Sequence, residues 1–333
     1  MQRARLLVLV EAAVLLVPLP PCRGQQGAWI RLMEQGSGLV AQGHYQEAAG
    51  QFRQAVKEAE QLAPDNRALA LSLSNLAWVQ QQLAELDEAE RLYRKSLAIM
   101  EKICGPESPE VGRALTNLGG LYLDLGRHSL AEKYLRQARK ILMKTVGPEH
   151  PYVAGIESNL GELAMRRHHY SAARRMFEHA LSVFERHNGP RHPDAAMALN
   201  NLAVSLKAQR RHADAAALYK RAIEALEETL GLDHPMLIRP LLNLAVCDAA
   251  TGQYADAELH FGRARTIAET LGPQHPYLGV VLANYAHFLR ATKRRPEAKV
   301  LEARSDSILS AYRLGTSQTV NARDLAAFSH SQK

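Results

Sequence analysis

The stretch ALNNLAVSLKAQRRHADAAALYKRAIEAL (198–226) decides the fold of this chain. Its small and apolar residues recur every three or four positions on both sides of a polar break around Arg210. This is the pattern of two amphipathic helices joined by a short turn. Asn200 and Asn201 stand inside the first helix, although asparagine is a mediocre helix former. We therefore ask whether this asparagine recurs elsewhere in the chain.

The pattern returns with an almost constant period. The second asparagine of the stretch has equivalents spaced by 42 residues, with a last interval of 41: Asn75, Asn117, Asn159, Asn201, Asn243 and Asn284. Loops such as GPEHP and GPRHP open at the same intervals, and so does a row of alanines from Ala48 to Ala298. Three markers with one period predict seven helical hairpins, each burying its apolar face against its neighbours.

Small residues and aromatics occupy fixed places within each hairpin. A small residue such as Gly36 or Gly161 precedes the marker alanine by twelve positions, and an aromatic such as Phe52 or Phe177 usually follows it by four. We expect the small residue to let two helices approach closely and the aromatic to fill the space between neighbouring hairpins. The turn inside the hairpin carries either glycine or a polar residue: Gly126, Gly252, His168, Arg210 and Lys293.

This small–aromatic–small spacing resembles that of tetratricopeptide repeats, and the 42-residue period with LNNLA and G-x-x-HP is similar to the kinesin light chain subclass. The resemblance covers residues 28 to about 312 and implies an all-α, right-handed superhelical solenoid of about seven helix-turn-helix repeats. Within a solenoid domain of residues 25–312, the repeats lie near 28–66, 67–108, 109–150, 151–192, 193–234, 235–275 and 276–312. Glu34 replaces the asparagine in the first repeat and Glu302 replaces the aromatic in the last, as terminal repeats require.

The resemblance also implies that the first helix of each hairpin lines a concave groove, where the asparagines hold the backbone of an extended peptide. An asparagine amide offers both donors and an acceptor, which matches a peptide bond. The predicted peptide-binding residues are the six asparagines together with Arg113, Arg239 and Trp78 on the same face. The residues leave an alternative open: the asparagines bond to the neighbouring repeat and fix the stacking. Trp78 likewise either anchors a ligand or packs on the adjacent repeat.

The face of repeats four to six is small and apolar around Arg239, which predicts a partner segment with apolar side chains and an acidic residue. We therefore predict a non-enzymatic protein–protein interaction adaptor that binds a linear motif of a protein or peptide partner. The alternative is a structural scaffold or assembly factor that uses its convex face and leaves the groove unused. The sequence does not determine the oligomeric state.

Composition and motifs argue against other classes of function. The 41 basic residues are interspersed with 34 acidic ones, without a basic arm or a nucleic-acid motif, so we expect no nucleic-acid partner. No catalytic motif is present, and we expect no cofactor and no metal. His150, His192, His234 and His275 recur once per repeat in the loops, which spreads them too widely to converge on one metal ion. We interpret them as structural.

The chain ends read differently from the repeats. Residues 1–24 begin with Arg3 and Arg5, followed by an apolar run from Leu6 to Val17 and a proline-rich break, which is the layout of a signal peptide. We therefore expect an exported protein, secreted or periplasmic, with a cytoplasmic protein as the alternative, and no stable membrane insertion. Cys22 follows two prolines where a lipoprotein site needs small residues, and Cys104 and Cys247 read as small apolar residues. Residues 313–333 read as a flexible tail.

Overall fold

A computed structural model describes residues 23–62 and 65–315. Within these ranges the chain forms fourteen α-helices and no strand. The predicted all-α solenoid of helical hairpins is therefore confirmed. The helices form seven consecutive pairs: α1 (Arg23–Val40) and α2 (Tyr45–Leu62), α3 (Arg67–Gln82) and α4 (Leu86–Cys104), α5 (Pro109–Asp124) and α6 (His128–Thr145), α7 (Pro151–Arg166) and α8 (Tyr170–Asn188), α9 (Pro193–Ala208) and α10 (His212–Leu230), α11 (Ile238–Ala250) and α12 (Tyr254–Thr270), and α13 (Pro276–Ala291) and α14 (Arg295–Gly315). A 3₁₀ turn, Pro235–Leu237, precedes α11.

The described residues fall into two compact units. The first unit reaches residue 156 without residues 124–126, and the second unit contains those three residues and everything from residue 157 onward. In the first unit α2 packs on both α1 and α3, and in the second unit α10 packs on both α9 and α11. Each unit thus builds its core by stacking one pair on the next, as a repeat protein must. Fully buried aromatics such as Tyr93 in the first unit and Tyr219 in the second lie in these cores.

The small residue of each hairpin faces the large residue of the same hairpin. A Cβ atom added at Gly36 would lie 2.5 Å from the Phe52 ring, and one added at Gly161 would lie 2.6 Å from the Phe177 ring. The aromatic therefore contacts the small residue of its own pair, a contact that the sequence analysis did not include. Phe261 makes the expected contact between pairs, because its ring stacks on Tyr285 of the following pair with centroids 5.3 Å apart.

The turn between the two helices of a pair requires a left-handed backbone. Gly126 and Gly252 have φ values of 67° and 82°, and the polar residues at the equivalent positions have nearly the same conformation. His168, Arg210 and Lys293 adopt φ values of 60°, 61° and 66°. The non-glycine residues are strained here because their Cβ approaches a carbonyl oxygen in this conformation.

The loop histidines have a structural role that the sequence analysis did not specify. The Nδ1 atoms of His150, His192, His234 and His275 each accept the backbone N–H two residues onward, at 3.1–3.2 Å. Each ring thus caps the N-terminus of the first helix in the next pair, where backbone donors lack helical partners. Asn66 and Ser108 stand at the equivalent boundaries of the second and third pairs.

Residues 1–22 and 316–333 lie outside the described residues. The predicted cleavage segment 1–24, Cys22 and most of the predicted tail 313–333 therefore stay predictions. Two boundaries differ in detail from the predicted ones, because α1 begins at Arg23 and α14 continues to Gly315.

Candidate functional site

The six predicted asparagines lie on the first helices of six successive pairs, α3, α5, α7, α9, α11 and α13. We call them the ladder asparagines and the helix side that carries them the asparagine face. Asn75, Asn117, Asn159 and Asn201 are partly exposed. Asn243 and Asn284 are buried, with only 3% and 6% of their surface exposed. The first four side chains are therefore partly open to a ligand, although the Nδ2 atom of Asn75 is itself buried, whereas Asn243 and Asn284 lie in the core.

Two ladder asparagines bond to the preceding repeat. Asn117 donates to the hydroxyl of Ser74 at 3.1 Å, and Asn243 donates to the amide oxygen of Asn200 at 3.2 Å. Both acceptors stand immediately before the ladder asparagine of the preceding repeat. For Asn284, the equivalent residue of the preceding repeat is Leu242, which stands immediately before Asn243. A leucine side chain has no hydrogen-bond acceptor. Asn284 accordingly donates to the Val280 carbonyl of its own helix at 2.9 Å.

The other three ladder asparagines have donor groups that no described residue binds. The Nδ2 atom of Asn75 is buried without a hydrogen-bond partner among the described residues. Asn159 forms no side-chain hydrogen bond within the described ranges, and the neighbouring Ser158 hydroxyl is also buried and unbonded there. Asn201 accepts one hydrogen bond through Oδ1, and no described group accepts from its Nδ2. Unused donors on partly exposed asparagines suit the binding of a main-chain carbonyl.

A chain of side-chain hydrogen bonds ends at Asn201. Lys207 Nζ donates to Asn243 Oδ1 at 2.9 Å, Asn243 donates to Asn200, and Asn200 Nδ2 donates to Asn201 Oδ1 at 3.2 Å. Asn200 is fully buried, and Lys207 keeps only 6% of its surface exposed. Burial lowers the pKa of Lys207 to about 8, because the charged ammonium loses its hydration. The partly exposed Asn201 is thus joined to a buried amine through two buried amides.

Trp78 and Arg113, the predicted ligand contacts on the first helices of repeats two and three, both contact aromatic rings of adjacent repeats. The ring of Trp78 meets that of Tyr45 edge to face, with centroids 5.8 Å apart. The Arg113 guanidinium lies 4.8 Å from the centre of the Tyr152 ring, a cation–π contact. Trp78 therefore packs on the preceding repeat, the alternative that the sequence left open for it.

Arg239 is half-buried on the asparagine face of α11 and lies among charged groups of its own unit. Burial acts to lower the pKa of Arg239, but Glu162, followed by Tyr277 and Asp124, raises it above its ordinary value. Glu162 also forms an ion pair with Arg166 at 3.1 Å. The guanidinium thus faces carboxylates of this chain, and an acidic ligand residue would compete with them.

The described ranges contain no arrangement typical of a metal site, a disulfide or a membrane span. Among residues 23–62 and 65–315, no group of three or more histidines, cysteines or acids is arranged to hold a metal ion. Cys104 and Cys247 are both free thiols. None of the helices that the structure describes combines the length and the apolar character that crossing a bilayer demands.

Sequence reasoning missed the partners of the ladder asparagines. The signal was present, because the position before the asparagine is a hydroxyl or amide residue in four repeats: Ser74, Thr116, Ser158 and Asn200. A serine, threonine or asparagine at that position lowers helix propensity, as the ladder asparagine does. Its recurrence therefore also indicates a side-chain hydrogen bond that offsets this loss. Lys207 gave no such signal, since a lysine near the end of a helix is usually exposed.

Solved structures similar to this chain are helical repeat proteins. BtubC (BKLC) from P. vanneervenii is 25% identical, with a TM-score of 0.52 over 68% of this chain and 92% of that chain. A kinesin light chain-like protein with nearly identical TPR-like repeats from Podospora anserina is 24% identical, with a TM-score of 0.44 over 60% of this chain and 94% of that chain. A Rap protein complexed with Competence and Sporulation Factor is 17% identical, with a TM-score of 0.67 over 87% and 78%, which shows the shared fold.

The family comparison agrees with the architecture. A search of curated proteins gave no match. The family model described as tetratricopeptide repeat matches residues 30–102, 82–144, 152–228 and 194–270, which together make up more than half of the chain. The structural neighbours of this chain include kinesin light chain-like proteins with tetratricopeptide repeats. The chain belongs to the tetratricopeptide repeat family.

Proposed function

We propose that this chain is an adaptor that binds an extended segment of a partner protein on the asparagine face, chiefly through Asn159 and Asn201. Membership of the tetratricopeptide repeat family indicates a protein-interaction role as an adaptor or scaffold and points to no catalytic activity. The Rap protein, which shares the fold, was solved as a complex with Competence and Sporulation Factor. The finer proposal concerns which of the six asparagines meets the ligand.

One observation carries this choice. Asn159 and Asn201 belong to successive repeats of the second unit, are partly exposed, and have Nδ2 donors that no described residue binds. Packed helices of successive repeats lie on the order of 10 Å apart. An extended chain rises about 3.3 Å per residue, so the two amides would grip main-chain groups about three residues apart. The ligand would therefore be a short segment, held by its backbone.

The neighbouring side chains suggest the chemistry of that segment. Met197 and Val204 flank Asn201 on α9 and are partly exposed, which favours apolar ligand side chains. Arg239 would take an acidic residue only in competition with Glu162 and Asp124, which already interact with it. We therefore expect apolar side chains to dominate the selected sequences and acidic residues to contribute less than the sequence alone suggested.

A random peptide library displayed on phage tests this proposal, with the purified chain as the target. The enriched peptide is then labelled, and its dissociation constant is measured by fluorescence anisotropy for the wild type and for the double variant Asn159→Ala/Asn201→Ala. Each amide–backbone hydrogen bond contributes about 0.5–1.5 kcal/mol. Loss of both should therefore weaken binding by about 5- to 150-fold.

The control is the single variant Asn117→Ala. The Asn117 amide is already bonded to Ser74, so its loss should leave peptide affinity within about twofold of the wild type. Equal affinities for the wild type and the double variant would contradict the proposal, as would failure of the library to enrich any peptide on the wild-type chain.

A second candidate function rests on the second helices of the last two pairs. Leu259 on α12 and Val300 on α14 are large apolar residues with 66% and 68% of their surface exposed, at equivalent places two residues after the marker alanine. Such residues suit a scaffold that docks a folded partner on its outer face. Leu259→Lys/Val300→Lys would abolish capture of such a partner, whereas Asn159→Ala/Asn201→Ala would leave its capture unchanged.

We also propose export of this protein, with residues 1–24 as the cleaved signal peptide and a cytoplasmic protein as the alternative. The support is the sequence alone: Arg3 and Arg5, then an apolar run, then Pro20 and Pro21. Sequencing the N-terminus of the protein purified from its native host decides between them. A mature chain that begins near residue 25 supports export, and a chain that keeps Met1 contradicts cleavage.

A further inference from the structure

Lys207 and two buried amides stand behind Asn201 in a single line. Lys207, Asn243 and Asn200 are all more than nine-tenths buried, and all belong to the second unit together with Asn201. The amide oxygen and nitrogen of an asparagine cannot be told apart by shape, so its orientation follows from the hydrogen bonds it makes. In this chain of hydrogen bonds, the ammonium of Lys207 at one end determines the amide orientations of Asn243, Asn200 and Asn201.

The ammonium of Lys207 has three donors and no acceptor. The atom of Asn243 that lies 2.9 Å from Nζ must therefore be the oxygen, which directs the Asn243 nitrogen toward Asn200. Asn200 must then accept through its oxygen and donate through its nitrogen, which places the oxygen of Asn201 at the receiving end. The Asn201 nitrogen is left pointing away from the line, with both N–H groups available.

We propose that Lys207 is a positioning residue that fixes Asn201 as a hydrogen-bond donor toward the ligand on the asparagine face. The consequence for specificity is that Asn201 selects a main-chain carbonyl of the partner rather than a main-chain N–H. Hydrogen bonds in such a chain polarise one another, so the positive end also strengthens the outward donor. This inference rests on the proposed function for its ligand, but the orientation of Asn201 is a property of the free protein.

The role of Lys207 can be tested by changing the protonation state of its amine. Because burial lowers the pKa of Lys207 to about 8, the amine loses its proton above that pH. A neutral amine has a lone pair and can accept a hydrogen bond, so the orientation of Asn243 is no longer forced. The fixed direction of the whole line is therefore present below about pH 8 and is lost above it.

Two other titratable groups face Lys207, and both titrate outside this window. Cys247 on α11 has its pKa raised to about 11, first by burial and against the influence of Lys207. His212 on α10 has its pKa lowered below its ordinary value of 6.5, first by burial and then by Lys207 and Arg210. A change centred near pH 8 in the Asn201 amide would therefore report Lys207.

The experiment uses the full chain labelled with ¹⁵N-asparagine, with the side-chain amide signals followed by NMR from about pH 6.5 to about pH 9.5. In the wild type, the Asn201 signals should shift with a midpoint near pH 8. In Lys207→Arg the shift should vanish, because a guanidinium stays charged throughout this range. Lys207→Met should also lack the shift, with Asn201 signals displaced from those of the wild type below pH 8, where the wild type keeps the fixed direction.

Three outcomes would overturn the inference: Asn201 signals that do not change with pH in the wild type, a shift of equal size in Lys207→Arg, or Lys207→Met signals that coincide with those of the wild type below pH 8. The circular dichroism of each variant shows whether it folds, and Lys207→Arg keeps the test valid if Lys207→Met does not. Because no peptide enters this measurement, its failure is distinct from failure of the proposed function. When a library peptide is in hand, the wild type should lose affinity above pH 8 and Lys207→Arg should not.

Discussion

In both compact units, a ladder asparagine donates a hydrogen bond to the preceding repeat, but the bond connects to different groups. In the first unit Asn117 donates to Ser74, and this bond joins two repeats at a partly exposed site. In the second unit Asn243 donates to Asn200, but Asn243 also receives Lys207, and Asn200 passes a further bond to Asn201. The same repeat position therefore serves stacking alone in one unit and connects a buried amine to the surface in the other.

The difference lies in the neighbours of the asparagine rather than in the asparagine itself. A serine hydroxyl rotates freely and can either donate or accept a hydrogen bond. Ser74 therefore does not determine which end of the Asn117 amide faces it. An asparagine acceptor has two distinct ends, so Asn200 transmits a direction that Lys207 imposes. A recurring residue in a repeat protein therefore has to be interpreted together with the variable residue next to it.

The largest expected effect separates the two bonds by stability. Asn243→Ala removes one acceptor of a buried ammonium and the donor to a buried amide, which should lower the free energy of unfolding by about 2–4 kcal/mol. Asn117→Ala removes one partly exposed bond and should cost about 0.5–1.5 kcal/mol. Urea unfolding followed by circular dichroism measures both, with the midpoints compared because repeat arrays do not always unfold in one step.

Equal midpoints for these two variants would remove the contrast between the units. Asn243→Ala/Lys207→Met is the matched control, since it takes away the buried charge together with its acceptor. This double variant should recover part of the stability that Asn243→Ala loses, because the ammonium that bonded to Asn243 is removed with it.

The period of the repeat predicted the fold, because packing of small residues on large ones at fixed spacing leaves few alternatives. Gly36 and Phe52, or Gly161 and Phe177, are recognisable from the sequence and meet as close contacts in the structure. The state of each ladder asparagine was not predictable in the same way. Asn159 and Asn243 occupy the same register, yet one is partly exposed and the other is 3% exposed. Their difference depends on which side chains of other helices reach them, and that information is not local in the sequence.

A smaller effect is expected at the helix caps, where the residue type varies from pair to pair. The first unit caps α3 with Asn66, an ordinary capping residue, and α7 with His150, whereas the second unit uses His192, His234 and His275. His234→Ala should lower the free energy of unfolding by about 1–2 kcal/mol, because a helix-terminal donor loses its acceptor. His234→Asn should lose less, since asparagine is itself a good capping residue. If both variants lose the same stability, the ring acts through packing and not as a cap.

The smallest expected effect concerns the turn inside the last two pairs, where glycine and lysine adopt the same left-handed backbone. Lys293 has a φ of 66° and Gly252 a φ of 82°. Lys293→Gly should raise the free energy of unfolding by about 0.5–1 kcal/mol, measured as a higher thermal unfolding midpoint. The reason is that relief of the Cβ clash contributes more than the entropy that the unfolded chain gains. Gly252→Ala should lower it by a similar amount, since it introduces a Cβ where none is present. Changes of the same sign in the two variants would mean that side-chain contacts, and not the backbone conformation, decide which residue the turn tolerates.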